Sequence, residues 1–284
     1  MRGRKAERGP FVARLGPKAA EDEDSRVVAD ARGLSLRAML PNAITSAALC
    51  AGLTGISFAI EGAFAYAVLA VVLAGVLDGL DGRIARLLNA QSRFGAELDS
   101  LADSISFGVA PALILFSWSL KELDRFGWFA ALAFAVCCAL RLARFNARID
   151  VDEQPHKSAG FLTGVPAPVG AGLAFMPVYL WIATGYEEFR EPIALAIWLT
   201  LIAIFMISNM ATLSWSSIRP RRGVRLGFIL VAGLGFTALL MEPWWSLTVI
   251  CAGYLALMPY GLIKYGRIKR RRAREQDNGE LPTV

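Results

Sequence analysis

Long apolar segments alternate with short polar ones along most of the chain. Eight segments are apolar enough to form helices of about 20 residues, the length needed to cross a bilayer. They lie near 45–60, 63–85, 99–118, 128–142, 166–184, 193–210, 226–240 and 247–262. The pattern therefore predicts an all-α integral membrane protein, a bundle of about eight transmembrane helices.

Polar tails flank this apolar region and divide the chain into three parts. Residues 1–39 form a charged N-terminal tail, in which the spacing of apolar residues over 26–39 predicts a short juxtamembrane helix. Residues 40–263 form the membrane domain, and 264–284 form a basic C-terminal tail. The chain has 284 residues, 55% of them hydrophobic, and a mean hydropathy of +0.47, so we expect no second, soluble domain.

The distribution of Lys and Arg predicts the orientation in the membrane. If both termini and the loops after the second, fourth and sixth helices share one side, that side holds all but three of the 30 basic residues. The exceptions are Lys121, Arg125 and Arg190. Cytoplasmic loops collect Lys and Arg, so we expect a multi-pass protein of the cell (inner) membrane with both termini in the cytoplasm. The net charge of +6 then reflects topology and does not indicate a nucleic-acid partner.

Four aspartates interrupt the apolar pattern at the predicted cytoplasmic ends of the second and third helices. Asp78 and Asp81 are three residues apart, and Asp99 and Asp103 are four apart, so each pair shares one helical face. An acidic residue within a bilayer costs roughly 3 kcal/mol and is functional by default. A short link joins the two helices as antiparallel neighbours, which predicts a single acidic cluster open to the cytoplasm.

Carboxylates this close repel one another unless cations lie between them. Oxygen ligands of this kind suit Mg²⁺ or Mn²⁺, and two such ions form the arrangement used for displacement at phosphorus. Gly82, Ala85 and Gly95 are small enough to let a diphosphate approach the backbone, and Arg86 could meet its oxygens. The alternative is structural: the small residues pack the two helices, and nearby arginines pair with the acids.

The same residues carry a family resemblance. They form the pattern Asp78-x2-Asp81-Gly82-x2-Ala85-Arg86-x8-Gly95-x3-Asp99-x3-Asp103. This pattern resembles the complete signature of the CDP-alcohol phosphotransferases, membrane enzymes that transfer a phosphoryl-alcohol group to a hydroxyl and release CMP. The resemblance implies that Asp78, Asp81 and Asp99 hold the metals with the diphosphate. It also implies that Asp103 contacts the second metal and acts as general base on the acceptor hydroxyl.

Three further stretches resemble the phosphatidylserine synthase branch of that family. They are "LPNAITSAALCAGL" from Leu40, "SRFGAELDSLADSISFGVAPA" from Ser92, and "RLARFNARID" with "FLTGVPAPVGAG" from Arg141 and Phe161. This resemblance implies transfer of the phosphatidyl group from CDP-diacylglycerol to L-serine. It also implies a homodimer, which the sequence alone does not indicate.

Polar residues near the acids are candidates for binding the two substrates. Serine needs a cation for its carboxylate, and one cluster at the predicted cytoplasmic end of the fourth helix could supply it: Arg141, Arg144, Asn146 and Lys157. The basic members could instead be topology determinants. Asn42 and Thr45 could reach the cytidine or the diphosphate, although Asn42 could equally cap the first helix.

Two other functions fit parts of the pattern. The same chemistry could use glycerol 3-phosphate or an inositol phosphate as acceptor, although a phosphorylated acceptor would require a denser basic pocket. A cation-coupled transporter would also place acids in a membrane domain, but such folds usually contain repeats, and none is evident in this chain.

Overall fold

The computed structural model describes residues 36–147, 161–208, 211–213 and 225–258. Most of the predicted juxtamembrane helix, the basic tail over 264–284 and the candidate Lys157 lie outside these residues.

Helices make up almost all of the described chain. They are α1 (Leu36–Ile60), α2 (Phe64–Leu87), α3 (Arg93–Trp118), α4 (Asp124–Ala147), α5 (Ala167–Thr184), α6 (Pro192–Ile207), α7 (Arg225–Met241) and α8 (Pro243–Met258). Two short 3-10 turns, Leu120–Leu123 and Glu187–Arg190, precede α4 and α6. One antiparallel pairing joins two three-residue strands, β1 (Phe161–Thr163) and β2 (Ala211–Leu213).

The prediction of a helical, multi-pass membrane protein is confirmed. Five helices are long and apolar enough to cross a bilayer, namely α1 from Met39, α2, α3, α4 preceded by its 3-10 turn, and α5. The other apolar helices, Pro192–Ile207, Leu230–Met241 and Pro243–Met258, are shorter. The structure thus supports five of the eight predicted crossings by length and composition.

Two helices begin at least six residues earlier than the apolar pattern predicts. The first apolar run was expected to start near Thr45, whereas α1 starts at Leu36 and includes Pro41. Asn42 is therefore inside the helix, and the prediction that it caps α1 is wrong. The third run was expected from Asp99, but α3 starts at Arg93 because the Ser92 hydroxyl accepts a hydrogen bond from the Gly95 N–H at 3.0 Å and caps the helix.

The helix α3 forms the centre of the acid-bearing end of the bundle. It lies between α1 and α4, while α1 packs along α2 and α4 packs along α6. Its segment Ser104–Val109 is a π-helix directly after Asp103. Glycines allow the close approach: a Cβ on Gly52 of α1 would lie 2.6 Å from the Ser106 hydroxyl, and one on Gly108 would lie 3.1 Å from Cys138 of α4. Small residues at these contacts hold α3 against both neighbours.

Candidate active site

Three of the four aspartates converge where α2 ends and α3 begins. Asp78 lies in the third turn from the end of α2, and Asp99 and Asp103 lie on one face of the first part of α3. Carboxylate oxygens of these three residues all lie within 4.8 Å of one another. Asp78 therefore lies close enough to interact with both Asp99 and Asp103. The predicted acidic cluster therefore exists with these three members, and we call them the aspartate cluster.

Asp81 lies beside the aspartate cluster but is not one of its converging members. Its side chain is only 4% exposed, and its Oδ2 accepts a hydrogen bond of 2.5 Å from the hydroxyl of Thr45 on α1. The backbone N–H of Gly82 also lies near this carboxylate. Asp81 remains within electrostatic range of Asp78 and Asp99. The shared helical face of Asp78 and Asp81 thus does not bring both carboxylates to one point.

The structural alternative, in which nearby arginines neutralise the acids, is not supported. Arg83, Arg86 and Arg93 are all exposed. Within the described part of the chain, none of them has an ion pair with an aspartate of the site. Among the described residues, Arg141 of α4 is the basic residue that lies within electrostatic range of Asp103. One arginine cannot balance several ionised carboxylates, so the described cluster is predominantly acidic.

Two glycines lie on the side of the site predicted to bind the nucleotide. Gly82 has open space above its backbone, and Gly95 is packed against another helix. A Cβ on Gly82 would meet only the Arg86 guanidinium, at 4.0 Å, so the surface above Gly82 is open. A Cβ on Gly95 would lie 2.9 Å from the Asn42 side-chain oxygen, so Gly95 is small because α1 and α3 pack there. Ala85 is half-buried on α2, one turn from Asp81.

Asn42 has a free donor at this packed contact. Its Nδ2 is buried and has no hydrogen-bond partner within the described chain. A buried donor without a partner costs about 1–3 kcal/mol, so a ligand oxygen at this position would be stabilising.

The residues predicted to bind the acceptor substrate make different contacts in the structure. The Nε of Arg141 is buried and has no hydrogen-bond partner among the described residues. Arg144 donates from Nη1 to the backbone oxygen of Ile207 at 2.8 Å, at the C-terminus of α6. Asn146 donates from Nδ2 to the Ser100 hydroxyl at 2.8 Å, which ties α4 to α3 beside Asp99. The structure therefore leaves Arg141 with an unused donor next to the aspartate cluster.

Two residues near the site could not be recognised from the sequence. Ser100 meets Asn146 across 46 positions of chain, and Tyr254 of α8 lies within electrostatic range of Arg141. The helix α8 reaches this end by packing along α5, where a Cβ on Gly172 would lie 3.8 Å from the Cys251 sulfur. Such contacts depend on helix packing and not on local spacing, so only the structure shows them.

The donor set of the aspartate cluster fits a divalent cation. Ionised carboxylates are acceptors only, and three of them around one point repel one another unless a cation or protons lie between them. Oxygen ligands of this kind are those that Mg²⁺ and Mn²⁺ take in proteins. The arrangement could hold such an ion beside a phosphate group, with Arg141 close by on the opposite helix.

Comparison with known proteins agrees with this chemistry. The family described as CDP-alcohol phosphatidyltransferase matches residues 38–215, and a second family, CDP-alcohol phosphatidyltransferase 2, matches 224–259. A CDP-diacylglycerol–serine O-phosphatidyltransferase of Mycobacterium leprae is 37% identical over 224 residues, which cover 79% of this chain and 74% of that protein. A protein of the same name from Helicobacter pylori is 33% identical over 227 residues, covering 80% of this chain and 91% of the relative.

A third relative is similar over a shorter stretch. The Saccharomyces cerevisiae protein of that name is 42% identical over 112 residues, which cover 38% of this chain and 40% of the relative. The match to the first family spans the aspartate cluster and every described residue that the sequence implicated in substrate binding. The chain belongs to the CDP-alcohol phosphatidyltransferase family.

Proposed function

We propose that the protein transfers the phosphatidyl group of CDP-diacylglycerol to the hydroxyl of L-serine, giving phosphatidylserine and CMP. The observation that carries this proposal is the convergence of Asp78, Asp99 and Asp103 within 4.8 Å in a member of this family. Relatives named for the serine reaction match most of the chain and support serine as the acceptor.

The carboxylates are the proposed ligands of two Mg²⁺ or Mn²⁺ ions. Asp78, Asp99 and Asp103 supply the converging oxygens, and Asp81 is the fourth ligand. When bound, such ions neutralise charge on the diphosphate and stabilise the attacking and leaving oxygens.

Asp103 is the proposed general base. A primary hydroxyl is a weak nucleophile, so a base must take its proton as it attacks phosphorus. Asp103 is the member of the cluster that interacts electrostatically with Asp78 and Asp99 and also with Arg141, the residue proposed to bind serine. In the step, the serine oxygen forms a bond to the lipid-side phosphorus, the bond from that phosphorus to the CMP oxygen breaks, and the serine proton passes to Asp103.

The CDP-lipid is proposed to bind along α2 and the start of α3. The open backbone at Gly82, with Ala85 beside it, gives the diphosphate room, and the Arg86 guanidinium is near enough to meet its oxygens. The unused Asn42 amide is a donor for the cytidine or the diphosphate. Gly95 acts indirectly, since it allows Asn42 to lie against α3.

The acceptor is proposed to bind on the α4 side of the cluster. Arg141 is the main candidate for the serine carboxylate because its Nε is a buried donor without a described partner. Asn146 lies near enough to assist, through its contact with Ser100. Arg144 and Lys157 are further candidates for the proposed serine site.

The placement of basic residues supports an orientation with the aspartate cluster and both termini in the cytoplasm. Eight crossings of the cell (inner) membrane satisfy that orientation, with α6, α7 and α8 completing the five long helices. Family resemblance supports a homodimer.

The experiment that tests the function is CMP release by the purified protein in detergent. CDP-diacylglycerol and Mn²⁺ or Mg²⁺ are supplied, and L-serine, glycerol 3-phosphate and inositol phosphate are offered separately. We expect release with serine alone and no release in the presence of a chelator. Release with another acceptor would retain the aspartate chemistry and remove the serine assignment, whereas no release with any acceptor would contradict transfer altogether.

A further inference from the structure

A hydrogen bond between the side chains of Thr45 and Asp81 joins α1 to α2. Both side chains are buried, with 5% of Thr45 and 4% of Asp81 exposed. The Thr45 hydroxyl lies 2.5 Å from Asp81 Oδ2 and 3.1 Å from the backbone oxygen of Pro41. A hydroxyl has one proton, so the shorter contact, to a group that carries charge when ionised, is the stronger of the two.

This contact explains why Asp81 is placed differently from the other aspartates. Asp78 precedes it on the same helix by three residues, and both side chains could turn toward α3. Thr45 instead fixes Oδ2 of Asp81 toward α1, while the carboxylate remains within electrostatic range of Asp78 and Asp99. A carboxylate has about four acceptor positions, so Asp81 still has capacity for a cation after accepting the hydrogen bond from Thr45.

We propose that Thr45 is a positioning residue for Asp81: its hydroxyl orients the carboxylate so that Asp81 binds a divalent cation at the edge of the aspartate cluster. This inference rests on the proposed function, because it assumes that the cluster holds metal. It gives Thr45 a role through Asp81 and not through the cytidine or diphosphate. Partners of this kind usually change metal affinity by about 10- to 100-fold when removed.

The test is direct Mn²⁺ binding to the full-length protein in detergent, without substrates. The free ion is quantified by electron paramagnetic resonance during titration. Thr45→Val removes the hydroxyl and retains the side-chain shape, and we expect it to raise the Mn²⁺ dissociation constant about 10-fold. Thr45→Ser keeps the hydroxyl and should bind as the wild type does. If the valine variant does not remain monodisperse, Thr45→Ala is measured in its place.

A second comparison separates the proposed route from other effects of the substitution. In an Asp81→Asn background, Thr45→Val should cause no further loss of Mn²⁺ affinity, because its partner is already absent. Unchanged Mn²⁺ affinity in Thr45→Val would overturn the inference and leave the proposed function intact. The same holds if the substitution raises only the KM for CDP-diacylglycerol. A wild-type protein that binds no Mn²⁺ would contradict the metal site of the proposed function as well.

Discussion

Polar groups at the two ends of the helix bundle differ in how they are bonded. At the end away from the aspartates, Arg190 donates from Nε to the Trp118 backbone oxygen at 2.9 Å, and the Ser119 hydroxyl donates to the Arg190 backbone oxygen at 2.7 Å. The Arg190 guanidinium also lies 5.9 Å from the ring centre of Trp181. We call this set of contacts the arginine clasp.

In the arginine clasp, polar groups bond to one another and join chain segments. Near the aspartate cluster, some polar groups of the described chain have no such bonds. The clasp ties the end of α3 to the turn before α6 with contacts made by the protein itself. At the other end, three carboxylates approach one another, and the Nε of Arg141 and the amide of Asn42 have no hydrogen-bond partner within the described chain. The clasp contacts join groups of the protein to one another, so we interpret the clasp as structural, although the buried Nε1 of Trp118 has no hydrogen-bond partner among the described residues. The carboxylates, the arginine and the amide at the other end fit a ligand site.

The largest expected effect is that of Asp103→Asn, which removes the proposed base and keeps the size of the side chain. We expect kcat for CMP release to fall roughly 10²- to 10⁴-fold, the usual contribution of a general base. Binding of CDP-diacylglycerol should be largely intact, as measured by equilibrium binding of a labelled analogue. Full activity in this variant would remove Asp103 from the chemistry.

A smaller effect is expected for Arg141→Lys. The lysine keeps the positive charge near Asp103 but loses the planar guanidinium that can bind a carboxylate through two hydrogen bonds. We expect the KM for serine to rise about 10-fold, with little change in the KM for CDP-diacylglycerol.

The matched control for this change is Arg125→Lys, which alters an exposed arginine at the opposite end of α4. It should leave both KM values unchanged. An increase in the KM for CDP-diacylglycerol alone in Arg141→Lys would place this arginine on the donor side of the site.

Asn146→Ala should raise the KM for serine by only a few fold, about the effect of one neutral hydrogen bond. Ser100→Ala removes the same contact between α3 and α4 while leaving the Asn146 amide in place. If both variants raise the KM equally, Asn146 acts through helix packing. An unchanged KM in Asn146→Ala would move the serine site elsewhere.

For a substitution in the arginine clasp we expect the opposite result: lower stability with unchanged catalysis. Arg190→Leu removes a hydrogen bond from a charged donor, which should lower the free energy of unfolding by about 1–3 kcal/mol. Thermal unfolding in detergent measures the change, and both KM values should match the wild type. A large loss of kcat with an unchanged melting temperature would contradict a purely structural role.

The sequence predicted the location of the site better than its internal geometry. The helical spacing of Asp99 and Asp103 and the short link to α2 were sufficient to predict an acidic cluster, because local geometry determines both. Asp81 is hydrogen-bonded to Thr45, 36 residues away on another helix, so no local pattern could separate it from Asp78.

Local sequence patterns also did not predict the contacts on the acceptor side of the site or the exact helix ends. Arg141 and Arg144 are one turn apart, but the end of α6 gives Arg144 a backbone partner at Ile207. That contact requires α4 and α6 to pack together, which periodicity does not determine. The early start of α3 depends on capping by Ser92, a local signal that the hydropathy pattern does not include.

The most direct test of the proposed reaction follows the serine hydroxyl oxygen into the products. L-serine labelled with ¹⁸O in its hydroxyl is incubated with the protein, CDP-diacylglycerol and Mn²⁺, and the products are analysed by mass spectrometry. Displacement at phosphorus by the serine hydroxyl predicts phosphatidylserine that retains the label and CMP that contains none. Formation of unlabelled phosphatidylserine, or of no phosphatidylserine at all, would contradict the proposed reaction.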